Sequence, residues 1–288
     1  MSQLAQLRQK IRSIQTTKKI THAVRLISMS FYNKLERAHD PLRQYSDAIR
    51  DLFSYVQMRG GVWYNPVLCP RDVLDSSPLY IVVATTKGLC ASLNSNLFRY
   101  LEQALFIDKN QKPVFIAIGQ KAINYLRESN HGELVATYSD IDSNNFIALA
   151  DDLIEKILHS SVVYSSVSVF SNEARSFFLQ KPSKSTIIPL PVTNTTGVEA
   201  MEDSDEVIWE QPQNEVMDDL ALRYLRSRMI YLFFQAISAE HAARFMAMEN
   251  STNNAEKYLE RLTLQFNKLR QSLITKEISE LSSGLPQR

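Results

Sequence analysis

Between residues 4 and 56, apolar side chains recur three and four positions apart: Leu4, Leu7, Ile11 and Ile14, then Ile20, Val24, Ile27 and Phe31, then Leu42, Tyr45, Ile49, Leu52 and Val56. This spacing keeps one apolar stripe on one face of a 3.6-residue helix and predicts a single long helix. Pro41 removes one backbone hydrogen bond and bends it; Gly60 and Gly61, then Pro66 and Pro70, supply the stop. The middle of the chain changes character. Apolar, β-rich runs at 80–84, 114–118, 162–170 and 186–190 alternate with helix-like stretches such as 93–106 and 146–158. Strands alternating with helices predict a mostly parallel sheet covered on both faces. A polar, acidic passage at 193–206 predicts a surface loop leading out of this region.

From residue 214 to residue 283 there is neither proline nor glycine, and Leu259, Leu262, Phe266, Leu269 and Leu273 repeat in threes and fours as a coiled-coil seam does. A second long helix follows, reaching roughly 100 Å at about 1.5 Å per residue. A single α/β domain is too small to cover two such helices, so their seams are best satisfied against each other, antiparallel. The expected fold is α/β plus a long antiparallel two-helix coiled coil formed by the N- and C-terminal helices, a rod with a globular lump on its side. The expected division is 1–58, 59–213 and 214–288. The alternative is two helical layers packed on the sheet in one compact domain.

Composition changes this picture little. The 288 residues carry a formal net charge of +1, 44% are hydrophobic and only 7 are glycine, which permits a buried core and excludes a low-complexity chain. The opening MSQLAQLRQKIRSIQ lacks the apolar core of a signal peptide. The longest apolar stretch, 229–237, is interrupted by Gln235 and falls far short of the roughly 20 residues that span a bilayer. A soluble chain is expected, one that can attach to a membrane complex. Cys69 and Cys90 stand alone without a CxxC pair or a nearby histidine, so neither zinc nor a disulfide framework is indicated, and Cys90 reads as a small buried thiol rather than a nucleophile.

Candidate chemistry is sparse. There is no GxxxxGK[ST] loop, so the chain is not expected to hydrolyse ATP itself. The strand-to-helix passage Ala84-Thr85-Thr86-Lys87-Gly88-Leu89-Cys90 has one glycine where a dinucleotide fingerprint needs three, and reads as a structural turn. His22, His39, His131, His159 and His241 are too scattered for a metal site. Asp151-Asp152 and Asp218-Asp219 are adjacent pairs pointing to different sides of a helix, so they read as helix-surface charge rather than a matched acid and base. No catalytic, metal or cofactor residue is assigned. The informative feature is a basic run: Arg8, Lys10, Arg12, Lys18, Lys19 and Arg25, with no acid before Glu36. Such a stripe seeks an acidic surface. Nucleic acid competes with an acidic protein face for it, and a merely solvated face remains open.

LRQKIRSIQTTKKITHAVRLIS (7–28) resembles the opening helix of F-type ATP synthase gamma subunits, with its IRS-x-x-x-T-x-K-I-T-x-A pattern. SAEHAARFMAMENSTNNA (238–255) and LTLQFNKLRQSLITKEISELSSG (262–284) resemble that family's most characteristic stretch almost residue for residue. Weaker echoes in YIVVATTKGLCASLNSNL, FIAIGQK and IIPLP extend the likeness over nearly the whole chain.

The resemblance implies a non-catalytic rotor shaft: an antiparallel coiled coil inside a hexameric alpha–beta head, with a Rossmann-like side domain meeting the epsilon subunit and the membrane c-ring. It implies a peripheral place on the cytoplasmic face of the bacterial inner membrane, and no cofactor or nucleic-acid partner. Contacts with the head are expected at Lys18, Lys19, Thr21, Val24 and Arg25 and at Arg270, Gln271 and Thr275; Trp209 and Glu210 are expected to face the c-ring and epsilon. Three departures stand out. The family's common Asp-Arg/Lys-Gly-Leu-Cys-Gly-Gly becomes Thr86-Lys87-Gly88-Leu89-Cys90-Ala91-Ser92, methionine and often an acid stand where this chain has Val24 and Arg25, and Phe31-Tyr32 replaces a basic pair. A diverged gamma subunit, or one from a second ATP synthase, fits these. The alternatives are a gamma-like coiled-coil scaffold outside the rotary complex and a nucleotide-binding α/β enzyme.

Overall fold

The computed structural model describes residues 3–59, 63–70, 76–107, 112–160, 162–190 and 209–283. The element order is α1 (Gln3–Arg59), β1 (Leu79–Val83), α2 (Leu93–Ile107), β2 (Val114–Ile118), α3 (Gln120–Ser129), β3 (Glu133–Tyr138), α4 (Phe146–Leu158), β4 (Val167–Ser176), β5 (Leu179–Ile188) and α5 (Gln213–Ser283). The 57-residue α1 runs through Pro41 without a break. One lost hydrogen bond does not outweigh the packing of the turns on either side. The 71-residue α5 starts where the Pro212 carbonyl accepts the Glu215 and Val216 amides. The glycine stop at 60–61 and the acidic loop at 193–206 lie outside the described residues.

The chain divides into two compact units, Met1–Ser30 with Arg244–Arg288, and Phe31–Ala243. In the first, α1 and α5 run antiparallel in one continuous register. Arg8 lies over the Phe266 ring at 5.7 Å, Lys18 pairs with Glu256 at 2.7 Å, the Thr252 hydroxyl donates to Thr21 at 2.9 Å, and Arg25 pairs with Glu249. Each step forward on α1 is a step back on α5. The seam is apolar at Leu262, which is buried, and thins toward the end of α5: Phe266 and Leu269 are half-buried and Leu273 is exposed.

The second unit is a five-stranded mixed sheet in the order β3-β2-β1-β4-β5, parallel except for the antiparallel β4–β5 hairpin. Alternation sorts the strands. Tyr80, Val82, Phe115, Ala117 and Phe170 face α2 and α3, while Leu79, Ile81, Val83, Ile116, Ile118, Val167 and Val169 face a larger core built by α4, α5 and α1 residues such as Leu35 and Phe53. This is why β1 and β2 read as unbroken apolar runs. At the hairpin the structure departs from the sequence expectation. Val162 and Val163 are exposed and precede the strand, which starts at Val167 and continues through polar residues to Ser176, and its partner runs back from Leu179 rather than from residue 186. Pro182 is tolerated because β5 is an edge strand. β3, with the exposure of every second residue, is the other edge and was not expected.

Candidate functional site

A doubly wound sheet offers one customary ligand crevice, outside the carboxyl ends of the strands where the winding reverses, here between β1 and β4. That crevice is filled. Ala236, Ile237 and Glu240 of α5 close over Val83, Thr85 and Asn172 and leave a cavity of about 10 Å³, room for one water and no nucleotide. The turn after β1 is satisfied from within. Asn94 accepts the Thr85 amide at 3.2 Å and donates to the Thr85 hydroxyl at 2.8 Å, and that hydroxyl donates to the Lys87 carbonyl at 2.6 Å. The Thr85 amide is thereby occupied within the turn. Cys90 is buried here against Leu93 and Ala243. Leu89 and Ala91 stand at φ 67 and φ 50, so the left-handed backbone is kept although neither is glycine.

The paired aspartates are structural ties. Asp151 takes a two-pronged grip from Arg226 at 2.6 and 2.9 Å, which holds its carboxyl below the usual range; Asp152 accepts from Tyr138 and Lys156. Asp218 accepts from Trp63 and Asn65, and Asp219 from Arg223. None faces a second carboxylate in a cleft. Among the described residues no group of three or more His, Cys, Asp or Glu could hold a metal ion, and no helix is long and apolar enough to cross a membrane.

What remains is surface. Of the basic run, Lys18 and Arg25 are bound to Glu256 and Glu249 within the helical pair; Lys10, Arg12 and Lys19 are exposed and meet no acid among the described residues. Thr21 is buried inside the pair and Val24 is half-buried. Arg270, Gln271 and Thr275 are all exposed, and lie at the end of the described pair: in the register set by Arg8 and Phe266, the first described residue of α1, Gln3, falls opposite Gln271. Beyond it Ile274, Ile278 and Leu281, 47%, 62% and 74% exposed, form an apolar stripe on a helix without a described partner. Trp209 is half-buried and Glu210 exposed, just before α5.

The second unit also holds a cavity that the sequence did not announce, about 930 Å³ between α1, α5 and the β4–β5 hairpin. From α5 it is lined by Arg228, Tyr231, Gln235 and Ser238, at spacings of three, four and three on one face. The signal was present as polar residues at helical period in and around an otherwise apolar run.

An antiparallel helical pair, together with a mixed sheet whose ligand crevice is closed by one of the same helices, places the chain among α/β proteins that carry a long two-helix extension. The ATP synthase family model matches residues 3–286. An ATP synthase gamma chain from Glaesserella parasuis is 31% identical, covering 99% of both chains, and one from Francisella philomiragia is 29% identical at the same coverage. Among solved structures, a chain of the Euglena gracilis mitochondrial ATP synthase rotor superposes with a TM-score of 0.64 at 18% identity, covering 94% of this chain and 98% of that one. Another from the same organism's ATP synthase reaches 0.68 at 17%, covering 97% and 92%. The chain belongs to the ATP synthase gamma family, the central rotor stalk of F-type ATP synthases, and is thus a subunit of an enzyme complex associated with a membrane.

Proposed function

We propose that the chain is the non-catalytic shaft of a bacterial F-type ATP synthase, lying peripherally on the cytoplasmic face of the inner membrane and converting rotation of a c-ring into changes at the nucleotide sites of an alpha–beta head. The observation that supports this best is the C-terminal end of α5, where an apolar stripe and three polar side chains stand at and beyond the last described turn of the pair. An exposed apolar stripe of this kind marks a surface that another protein covers. The working division is a coiled-coil helix at 1–58, a Rossmann-like domain at 59–213 that meets epsilon and the c-ring through Trp209 and Glu210, and a coiled-coil helix at 214–288.

The proposed head contacts fall into two groups. Lys19, with Lys10 and Arg12 near it in sequence, supplies free positive charge for an acidic loop; Arg270, Gln271 and Thr275 supply hydrogen bonds that form at some rotor angles and not others. Lys18, Thr21 and Arg25 act from within the pair, where they hold the register of the surface. An asymmetric shaft of this kind stabilises different combinations of open and closed sites at each angle.

The test is purification of the tagged chain from solubilised membranes with identification of every associated subunit. Alpha, beta, epsilon and c subunits in fixed ratio are expected. Their absence would leave the scaffold reading.

A further inference from the structure

The polar face of α5 is out of keeping with its surroundings. Met229, Ile230, Leu232, Phe233, Phe234, Ala236 and Ile237 are buried in the core, yet Gln235 and Ser238 are buried too, at 5% and 7% exposure, and sit in the wall of the 930 Å³ cavity. Facing them, α1 turns Tyr32, Glu36, His39, Arg43 and Ser46 to the same space, again at spacings of four and three, and Ser46 is 9% exposed. Where two packed helices would ordinarily interdigitate apolar side chains, this pair encloses polar ones. Buried polar walls cost stability unless their groups are hydrogen-bonded.

The charges of the cavity are unevenly satisfied. Asp47 is neutralised by Arg50 at 2.8 Å and Arg43 at 3.6 Å, and Glu173 by Arg175 at 3.8 Å. Glu36 lies beside Tyr32, whose hydroxyl is pushed up to about 12 by burial and by that carboxylate. Arg228 is half-buried and has no acid partner among the described residues. The Tyr231 hydroxyl already accepts the Gln235 amide at 3.0 Å, so its own proton is free for an acceptor in the cavity. Two donors, one of them charged, thus stand three residues apart on one helix face. The opposite wall is aromatic, with Tyr32 edge-on to Phe177 at 4.8 Å.

We propose that this cavity binds a small phosphate ester, its phosphate held by Arg228 and the Tyr231 hydroxyl and its organic part lying toward Tyr32 and Phe177. A guanidinium fork matches a phosphate's oxygens, and the volume lies in the range of small-molecule sites. Glu36, which pairs with no arginine among the described residues, offers an acceptor for a hydroxyl or amino group of the organic part. The inference is independent of the rotor reading, because it concerns the chain alone.

The experiment is calorimetric titration of the full chain with AMP, ATP and inorganic phosphate, each at ionic strength matched with sodium chloride. Saturable binding of at least one phosphate species is expected. Arg228→Gln should weaken it about tenfold or more, as loss of a charge-assisted hydrogen bond does, and Tyr231→Phe several-fold. Arg223→Gln, an exposed arginine paired with Asp219 and not among the residues lining the cavity, should leave it unchanged. Binding of inorganic phosphate as tight as that of the esters would keep the anion site and remove the organic part from the proposal. If Arg228→Gln does not fold, Tyr231→Phe, which keeps the ring, decides alone. Heats no larger than those of chloride, or binding that survives both cavity substitutions, would overturn the site.

Discussion

Leu89 and Ala91 hold left-handed backbone at a turn where the resembling gamma sequences carry glycine at the second of these positions. A non-glycine residue there costs roughly 1–2 kcal/mol, against roughly 0.5–1 kcal/mol that glycine loses through the entropy of the unfolded chain. Leu89 is 61% exposed and gives up little packing. Leu89→Gly and Ala91→Gly should therefore each raise stability by about 0.5 kcal/mol or slightly more, read as a higher urea midpoint for unfolding of the sheet-bearing unit. Gly119 is the counterexample. At φ 87 an added Cβ would sit 2.1 Å from the Ala84 carbonyl oxygen, so Gly119→Ala should lower the same midpoint by far more than the other two raise it. Asp151 gives a pH-dependent test. Arg226 holds its folded pKa below the ordinary 3.8, so its contribution is fully present above the unfolded value and is lost as pH falls through the lower folded one. Both side chains are nearly half exposed, which limits the pair to about 1 kcal/mol or less. Asp151→Asn should lower the midpoint at pH 7, and by less as pH falls below the ordinary carboxylate range; an equal loss at every pH would make the residue's role steric.

At the scale of elements, the two long helices and the strands β1 and β2 were legible in the sequence because burial writes itself as period 3.6 along a helix and as an unbroken apolar run in a strand covered on both faces. β3 and the far half of the β4–β5 hairpin were not, because an edge strand with one wet face needs few apolar residues: residues 171–185 contain only two alanine or larger aliphatic side chains beside Phe177 and Phe178. The basic run was legible as composition, but the acids that answer it, Glu249 and Glu256, lie more than 220 residues away and become neighbours only through the antiparallel register. This division of the run sharpens the mutational test. Lys18→Glu should loosen the helical pair and be rescued by Glu256→Lys, whereas Lys19→Glu should leave the pair's melting unchanged and reduce coupling of ATP hydrolysis to ion pumping in the assembled enzyme. The second effect should fade as salt is raised from about 10 mM to above 100 mM, since screening shortens the reach of an exposed charge over that range. Normal pumping by Lys19→Glu at low salt would remove the acidic partner from the proposal.

For the whole molecule, the closed crevice between β1 and β4 and the uncovered end of α5 bear on the same question of where this chain does its work. The α/β fold has given its customary ligand site to the packing of α5, and on the proposed rotor role its contribution would come through surfaces that other subunits read. Arg270 is the most discriminating of the proposed contacts. It is exposed beside the last described turn of the helical pair and is not needed for the seam, which is carried by buried and half-buried residues such as Leu262, Phe266 and Leu269. If its guanidinium binds the head only at certain angles, its loss removes stabilisation from those angles and leaves total binding nearly intact. A charge-assisted hydrogen bond is worth roughly 1.5–3 kcal/mol, so expressing half of it at the rate-limiting angle predicts a fall in steady-state ATP hydrolysis of roughly threefold to tenfold for Arg270→Ala. Subunit stoichiometry of the purified complex should be unchanged, because the long seam and the sheet-bearing unit are untouched by the substitution. Full activity in an intact complex would remove Arg270 from the angle-dependent contacts, and failure to assemble would make its role structural.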